Sequence, residues 1–454
     1  MIDGLDRIAI HKDDYAYYPP RGGFGEAGAY PRTGGLNTDE PKSDKDGPEG
    51  ITSVYGHVLR AAALWAERSG DKDALRLARE LKTLVIKPQF WDGLAKHKNI
   101  EDRELGHIDS HVHARSIGLR GILEYGIVAK DMYASDFVRS GYEYIRTLGI
   151  PQMGWVSLAG GIVTMEGCTL GDLIAMAIKL SDGGLGDYWD DVDRIVRNSL
   201  AESQFIDREH LARTIEQQPE ARPQIGTDIL GKPIFQGQRV NPDADPKDES
   251  YSFDDVLDRR IGLFTGILGP VSFPTVFSCG CCSGNATQGL YYAWEGITRR
   301  QGEDAQINLL LNRAAPWLDI ESYLPYEGKV VVRNKTAKRV SIRIPTWVDR
   351  SKLTCMVDGK TRELSWVGSY LVIDRVKGKS VIELNFPVAE QTIKRTTCGT
   401  QYTIHMRGNT VVDVSPRDTS PTTYKMYLRN HLKTGHKAPM KEVTRFVSST
   451  IPKW

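Results

Sequence analysis

Apolar residues recur at helical spacing through residues 51–204. In residues 51–86 the repeat is interrupted by a Gly-Asp pair, which is typical of two helices joined by a short turn. The same unit recurs in residues 111–149 and in residues 169–204. One stripe of the third unit occupies positions i, i+3, i+4, i+7 and i+8: Leu170, Leu173, Ile174, Ala177 and Ile178. Stacked helix pairs at this rough period predict an α/α toroid or solenoid.

Two long polar stretches interrupt the helical pattern. Residues 1–50 are rich in Gly, Pro and Tyr, and residues 207–250 are polar and punctuated by proline, so we expect long surface or active-site loops. Helices are predicted to resume near Phe253. Asn285 is well placed to cap the last helix, whose predicted buried side consists of Leu290, Ala293, Trp294 and Ile297.

Beyond about residue 305 the hydrophobic period changes from 3.6 to 2. Five short runs are β-branched or alternating and end at Gly, Asn, Asp or Pro: KVVVRN, RVSIRIPTW, LTCMVDGKT, SYLVIDR and SVIELNFP. This pattern predicts an antiparallel β-sandwich. We therefore predict an α/α barrel-like domain over residues 1–305, a β-sandwich domain over residues 306–395 and a carboxyl-terminal β or packing segment over residues 396–454.

The balance of acidic and basic residues argues against nucleic acid and a membrane surface as partners. The chain has 59 basic and 58 acidic residues, a formal net charge of +1, and no long run of one sign suited to nucleic acid or a membrane surface. No stretch approaches about 18 uninterrupted apolar residues, and the first residues lack the pattern of a signal peptide. We expect a cytoplasmic protein that binds a neutral small molecule or oligosaccharide. A homodimer is compatible with the sequence.

Three of the six cysteines lie within four positions, at Cys279, Cys281 and Cys282. Adjacent cysteines do not meet the geometric requirements of an ordinary disulfide, and clustered thiols in a reducing compartment favour metal binding or catalysis. Zinc is the first candidate because tetrahedral zinc sites use Cys and His. A fourth ligand must come from elsewhere, and Glu166 and Cys168 are candidates. The alternative is that Cys168 and Cys282 are small core residues.

A second polar cluster, HIDSHVHARS, precedes a predicted helix and contains His107, Asp109, His111 and His113. Imidazole and carboxylate groups suit the hydroxyl groups of a sugar, so we predict that Asp109, His111 and His113 bind substrate. Metal binding is one alternative reading. Histidines that cap helix ends are the other.

Four segments in this order resemble the β-L-arabinofuranosidase family of glycoside hydrolases: MEGCTLGDLIAMA, DYWDDVDRIVRNSLAESQ, CCSGNATQGLYYAWE and the strands around VSIRIPTW and VDGK. The resemblance covers roughly residues 50–395. It implies an (α/α)6 barrel followed by β-sandwich domains. Because we count roughly seven or eight helices, we expect either a reduced barrel or one whose amino-terminal helices lie outside this chain.

The resemblance also implies the chemistry of the site. Zinc would be held by Glu166, Cys168, Cys281 and Cys282, with Cys281 as the nucleophile of a retaining reaction through a thioglycosyl intermediate. The family's acid/base glutamate lies shortly before Glu-x-Cys, whereas residues 144–165 contain no carboxylate. The general acid/base could instead be Asp109, one of the histidines at 107, 111 and 113, or a carboxylate in the loop of residues 207–250.

Two other functions remain open from the sequence. A non-catalytic carbohydrate-binding or structural protein would use zinc only to stabilise the fold. A metal-free inverting hydrolase or lyase would use paired carboxylates across a cleft, and the cysteines would then have no role.

Overall fold

The computed structural model describes residues 2–19, 39–44, 50–91, 111–159, 161–217, 224–227, 233–235, 255–444 and 447. Helices occupy the amino-terminal half of the chain and strands dominate the carboxyl-terminal half, as the change of hydrophobic period predicts. The α-helices in chain order are α1 (Ile2–Ile8), α2 (Ile51–Ser69), α3 (Lys72–Val85), α4 (Val112–Ala129), α5 (Met132–Thr147), α6 (Gly167–Asp182), α7 (Trp189–Ile195), α8 (Arg208–Glu216), α9 (Val256–Arg260), α10 (Gly280–Ile297) and α11 (Asn430–Thr434).

The long helices form an inner row with an outer layer. The inner row runs α2, α4, α6, α10, with each helix packed against the next. Outside it, α3 packs on α2 and α4, α5 on α4, and α7 on α6. This alternation of inner and outer helices is the α/α toroid arrangement that the helical hairpins predict. Among the described residues, no helix is long and apolar enough to cross a lipid bilayer.

Small residues allow the inner helices α6 and α10 to pack closely. A Cβ on Gly171 would lie 2.3 Å from the carbonyl oxygen of Asn285, and one on Gly289 would lie 2.9 Å from the Cα of Gly171. Any side chain at these two glycines would push the helices apart. Because the helices run side by side in the same direction, their amino-terminal ends, which carry Cys168 and Cys282, meet.

The predicted start of α10 at Asn285 is wrong. The helix begins at Gly280, with Cys279 in the N-cap position, so Asn285 lies in its second turn. Packing against α6 overrides the weak helical preference of the glycines near the start. The predicted buried side is also wrong for Leu290 and Trp294, which are 44% and 37% exposed, because the face of α10 that carries Gly289 and Gly296 packs inward.

Short strands accompany the helical half. In chain order they are β1 (Ile10–His11), β2 (Ala16–Tyr17), β3 (Gly149–Ile150), β4 (Trp155–Val156), β5 (Met165–Glu166), β6 (Gln224–Thr227), β7 (Pro233–Phe235), β8 (Ile267–Leu268) and β9 (Ser272–Phe273). Strand β5 pairs with β8 in an antiparallel ladder immediately before α6. This ladder fixes the position of Glu166 relative to the segment that leads into α10.

The strands of the second half are β10 (Thr298–Gln301), β11 (Asp304–Ile307), β12 (Arg313–Ala314), β13 (Leu318–Ser322), β14 (Lys329–Asn334), β15 (Arg339–Arg343), β16 (Thr354–Val357), β17 (Lys360–Thr361), β18 (Ser365–Val367), β19 (Tyr370–Ile373), β20 (Val381–Asn385), β21 (Glu390–Thr397), β22 (Thr400–Arg407), β23 (Thr410–Ser415) and β24 (Tyr424–Lys425). The first sheet has the order β10-β11-β15-β19-β18 and the second β12-β13-β14-β20-β16-β17. Strands β21, β22 and β23 form a third sheet.

The two larger sheets are antiparallel except at one pair. Strands β11 and β15 run parallel, because the chain between them crosses into the second sheet to form β12, β13 and β14. Alternate side chains are buried, as period 2 predicts: Val340 and Ile342 on β15, and Ile382 and Leu384 on β20. The helix-to-strand change falls between α10 and β10, and the predicted domain boundaries at 305 and 395 stay predictions.

One buried arginine joins the helical half to the first sheet. Arg343 on β15 is 1% exposed, and its Nε donates to Asp187 at 2.8 Å while its Nη1 donates to Asp190 at 2.9 Å. Asp190 also accepts a hydrogen bond from the backbone N–H of Thr346 at 3.0 Å. Such fully partnered carboxylates hold the two halves in a fixed relation.

Candidate metal centre

Glu166, Cys168, Cys281 and Cys282 meet at the amino-terminal ends of α6 and α10. One ligand atom from each of them lies within 4.8 Å of all the others. More than a hundred positions of sequence separate the first pair from the second, so the close packing of α6 and α10 creates the cluster. Among the described residues this is the one group of His, Cys, Asp or Glu side chains arranged to hold a metal ion.

Backbone contacts fix Glu166 and Cys168 beside the second pair. The N–H of Gly167 donates to the carbonyl oxygen of Gly266 at 2.8 Å, next to the β5–β8 ladder. A Cβ on Gly167 would lie 2.3 Å from the carbonyl oxygen of Thr265, so a glycine is required here. The Cys282 sulfur lies 3.5 Å from the same Gly266 oxygen. One short backbone segment therefore touches both halves of the cluster.

The spacing of the donors fits a tetrahedral ion. The Sγ atoms of Cys168 and Cys282 are 3.2 Å apart, those of Cys281 and Cys282 are 3.9 Å apart, and Cys282 Sγ is 3.7 Å from Glu166 Oε1. These cysteines are free thiols. Two thiolates on a tetrahedral zinc ion lie about 3.8 Å apart, since Zn–S bonds are about 2.3 Å long. Three soft sulfur donors with one carboxylate suit zinc.

The four donors differ in their exposure to solvent. Cys168 and Cys282 are buried, Glu166 is half-buried and Cys281 is exposed. The buried pair is suited to hold an ion, whereas the sulfur of Cys281 is accessible to a molecule arriving from solvent. The three cysteines each lie in the first turn of a helix, where the macrodipole favours negative charge.

The thiols share protons in a way that favours a bound cation. The hydrogen bond from Cys168 lowers the pKa of Cys282 to about 7, although burial opposes the shift. The same hydrogen bond, together with burial, raises the pKa of Cys168. One thiol of the pair therefore ionises near neutral pH while the other keeps its proton. A cation that replaces this shared proton allows both sulfurs to be thiolates.

His111 and His113 lie beside the cluster, at the start of α4. His111 occupies the N-cap position without a side-chain capping bond, and its Nε2 hydrogen-bonds to Oε2 of Glu166. Burial raises the pKa of Glu166, but the His111 hydrogen bond and the charge of His113 outweigh burial and leave the pKa lowered. His111 therefore orients a candidate ligand and does not cap the helix.

His113 belongs to a buried network. Its Nδ1 is 2.6 Å from Oδ2 of Asp172, whose other oxygen accepts from Arg120 Nη1 at 2.8 Å. Burial lowers the pKa of His113, but the charge of Asp172 and its hydrogen bond outweigh burial and raise that pKa to about 9. The ring centroids of His113 and His111 are 5.8 Å apart. The predicted substrate ligands His111 and His113 therefore adjoin the cluster, whereas Asp109 and His107 lie outside the described residues.

Three neighbouring residues were not predicted from the sequence. Asp172 is fully buried on α6 and Arg120 faces it from α4. Asp172 lies opposite the apolar stripe of α6, in a stretch of that helix where every residue from Gly167 to Ile178 is buried. A carboxylate in such a fully buried stretch indicates a buried charge pair. Asn285 lies one turn after Cys282 and its side chain hydrogen-bonds to Cys168. The Cys-Cys-x-x-Asn spacing places that amide on the same face of α10 as the cysteines.

Comparison with known proteins gives a structural match without a sequence match. No protein-family model matches the chain, and no curated protein matches it. A solved structure described as a glycoside hydrolase superposes with a TM-score of 0.51 at 15% identity, covering 79% of this chain and 60% of that one. The chain has the fold of that glycoside hydrolase.

Two further structures are similar at a lower score. One is a GH127 β-L-arabinofuranosidase from Geobacillus stearothermophilus T6, with a TM-score of 0.49, 15% identity and coverage of 78% of this chain and 57% of that one. The other is a GH127 β-arabinofuranosidase, with a TM-score of 0.48, 15% identity and coverage of 79% and 63%. The chain thus spans less than two thirds of the length of each of the three structures.

Proposed function

We propose that this protein is a zinc-dependent retaining glycoside hydrolase, similar to β-L-arabinofuranosidases, that cleaves a small furanoside or a related glycoside. The observation that carries the proposal is the convergence of Glu166, Cys168, Cys281 and Cys282 within 4.8 Å, with one sulfur open to solvent. The shared fold with a glycoside hydrolase supports it.

Glu166, Cys168, Cys281 and Cys282 would hold the zinc ion. When bound, zinc keeps the coordinating thiols ionised at neutral pH and attracts electron density from them. The chain contributes the rest of the site. Cys168 and Cys282 are buried and fixed by the packing of α6 on α10, and the hydrogen bond of His111 sets the orientation of the Glu166 carboxylate.

Cys281 is the nucleophile in this proposal. Its sulfur forms a bond to the anomeric carbon while the bond from that carbon to the leaving oxygen breaks, and water then displaces the sulfur from the opposite face. Two inversions give net retention of configuration. The exposure of Cys281 and its place in the first turn of α10 support this role.

A proton donor must assist the leaving oxygen and later accept a proton from water. Residues 144–165 contain no carboxylate. Of the candidates among the described residues, His111 is the better supported because its side chain is 45% exposed and touches Glu166. His113 is held by Asp172 and suits a positioning role. Asp109 keeps its proposed role as a substrate ligand.

Elemental analysis and a substrate panel test the proposal together. We expect one equivalent of zinc per chain and turnover of at least one aryl furanoside or pyranoside, with retained configuration of the first product. Protein that holds no metal, or an inverted product, would contradict the proposal.

The absence of a carboxylate in residues 144–165 favours one alternative, a non-catalytic carbohydrate-binding or structural protein with a structural zinc. That alternative predicts melting that depends on zinc and no turnover of any glycoside in the panel. The panel therefore separates the two functions on the same protein preparation.

A further inference from the structure

Cys279 is a fourth thiol at the candidate metal centre, outside the set of four donors. Its Sγ lies 3.4 Å from Sγ of Cys281. Cys279 is half-buried and is not part of a disulfide. The resemblance that assigns the other four donors gives this residue no role.

The centre therefore has five donors for an ion that takes four. Neighbouring thiolates on one zinc ion are about 3.8 Å apart. The 3.4 Å between Cys279 and Cys281 is close to that spacing, so the Cys279 sulfur lies next to the position that the Cys281 sulfur occupies. A small rotation of the Cys279 side chain would bring one sulfur into the place of the other.

The local backbone permits this rotation. Cys279 is the N-cap residue of α10, with an extended backbone, so its side chain is not fixed by the helix. Gly280 follows, and a Cβ built there meets no atom within 4 Å, so there is open space beside the two cysteines. Cys168 and Cys282, by contrast, are buried and lie within their helices.

The proposed reaction creates a need for another donor. When the sulfur of Cys281 bonds to the anomeric carbon and the leaving oxygen departs, that sulfur changes from a thiolate to a thioether. A thioether is uncharged and is a far weaker zinc ligand than a thiolate. The ion would be left with one carboxylate and two thiolates until water releases the sugar.

We propose that Cys279 is a reserve ligand, which takes the place of Cys281 in the coordination sphere when the Cys281 sulfur is bonded to carbon or removed. This inference rests on the proposed zinc site. It gives the Cys-Gly-Cys-Cys sequence a function, since the first cysteine keeps the metal bound while the second carries out chemistry.

Cobalt substitution tests the reserve ligand without any sugar. Thiolate-to-cobalt charge-transfer absorption reports the number of bound sulfurs, and competition with a chelator reports affinity. We compare the parent with C281S, C279S and the double variant C279S/C281S, with C398S as a control cysteine outside the centre. We expect C281S to keep three thiolates and an affinity within about 3-fold of the parent, and the double variant to lose one thiolate and bind at least about 30-fold more weakly.

The outcomes separate the two proposals. If C281S and the double variant bind cobalt with equal affinity and equal charge-transfer intensity, the reserve ligand is disproved while the metal site stands. If the parent binds no cobalt and no zinc, the proposed function fails and the inference fails with it.

A second measurement covers the case in which C281S does not fold. Folded, zinc-loaded parent and C279S are treated with iodoacetamide, whose carbon bonds to the exposed Cys281 sulfur as iodide leaves. Mass spectrometry verifies the site of labelling. We expect the alkylated parent to retain its zinc and alkylated C279S to release it to a chelator at least about 10-fold faster. Equal rates of release would overturn the inference.

Discussion

Two buried acidic regions of this protein differ in how their charges are balanced. At the junction of α7 and the first sheet, Asp190 receives hydrogen bonds from Arg343 and Thr346, and their effect outweighs burial and lowers the pKa of Asp190. At the candidate metal centre, the acidic groups face one another. Among the described ion pairs, Glu166 is paired with His111, and with no Lys or Arg.

The difference indicates which region is structural and which is functional. Buried carboxylates in a structural contact have a cationic partner within the chain, because an unpaired buried charge is costly. At the candidate metal centre, three thiols and a carboxylate lie together beside His111 and His113. This many acidic groups are stable together either when most of them are protonated or when a further cation is bound. The comparison therefore supports a metal ion as the missing charge at the thiol cluster.

The largest expected effect is on the proposed catalysis at the candidate metal centre. Cys281→Ala removes the proposed nucleophile, and we expect the rate on an active aryl glycoside to fall by about 10³-fold or more. Cys398→Ala, at a free thiol outside the group of four donors, is the matched control and keeps the parent rate. A Cys281→Ala variant as active as the parent would exclude the thioglycosyl mechanism.

Removal of zinc is expected to lower the free energy of unfolding through the candidate metal centre and not through the Arg343 junction. At free zinc about 1,000 times its dissociation constant, the bound ion adds about 4 kcal/mol to the free energy of unfolding. Urea unfolding with zinc and with a chelator measures this difference. We expect Cys168→Ala to lose this zinc-dependent stabilisation. The junction variant Arg343→Met is expected to keep it. Equal stability of the parent with and without zinc would mean that the centre does not bind the ion in the folded state.

Loss of the contacts between Arg343 and the two aspartates tests the structural role of the junction between α7 and the first sheet. Arg343→Met leaves the carboxylates of Asp187 and Asp190 without their cation, and we expect the free energy of unfolding to fall by about 3–5 kcal/mol. The control is Arg339→Met on the same strand, where the ion pair with Asp374 is half-exposed and is worth about 0–1 kcal/mol. Similar losses in both variants would contradict the structural role of Arg343.

A smaller effect should appear in the pH dependence of stability of the metal-free protein. The pKa of His113 is raised to about 9 from its usual 6.5, so its contribution is complete below pH 6.5 and is lost as pH rises through 9. We expect His113→Gln to cost on the order of 2–3 kcal/mol at pH 6 and much less at pH 9.5.

Urea unfolding in the presence of a chelator measures the His113 effect, so that metal release does not contribute to it. His405→Gln on β22 serves as the matched control on the protein surface. A cost for His113→Gln that is the same at both pH values would show that Asp172 does not hold the protonated imidazole.

Local patterns in the sequence predicted most of the fold. The stripe that begins at Leu170 predicts α6, and the β-branched run in residues 329–334 predicts β14, because each pattern reports which side chains are buried within one element. The start of α10 was not predicted, because its glycine-rich first turn is held by residues distant in sequence. The Cys168 sulfur contacts Cys282, and the Ser283 hydroxyl hydrogen-bonds with the backbone of Phe264. Pairings between distant elements leave no periodic signal.

The candidate site likewise has residues that the sequence indicates and contacts between distant residues that it does not. Cys281 and Cys282 are visible as a cluster, and their convergence with Glu166 and Cys168 was inferred through the family resemblance and is present in the structure. The pairing of Asp172 with His113 and Arg120 was not predicted, since those residues come from two helices 52 or more positions apart. The ligand, nucleophile and substrate roles stay predictions for experiment.

The most direct test of the central claim is elemental analysis of the parent and Cys168→Ala, both purified under reducing conditions without added metal. Cys168 is buried between the helices and its sulfur lies 3.2 Å from Cys282. We predict about one zinc per chain in the parent and a loss of most of it in the variant. A parent with no zinc, or a folded variant with as much zinc as the parent, would contradict the claim that these two helix ends hold a metal ion.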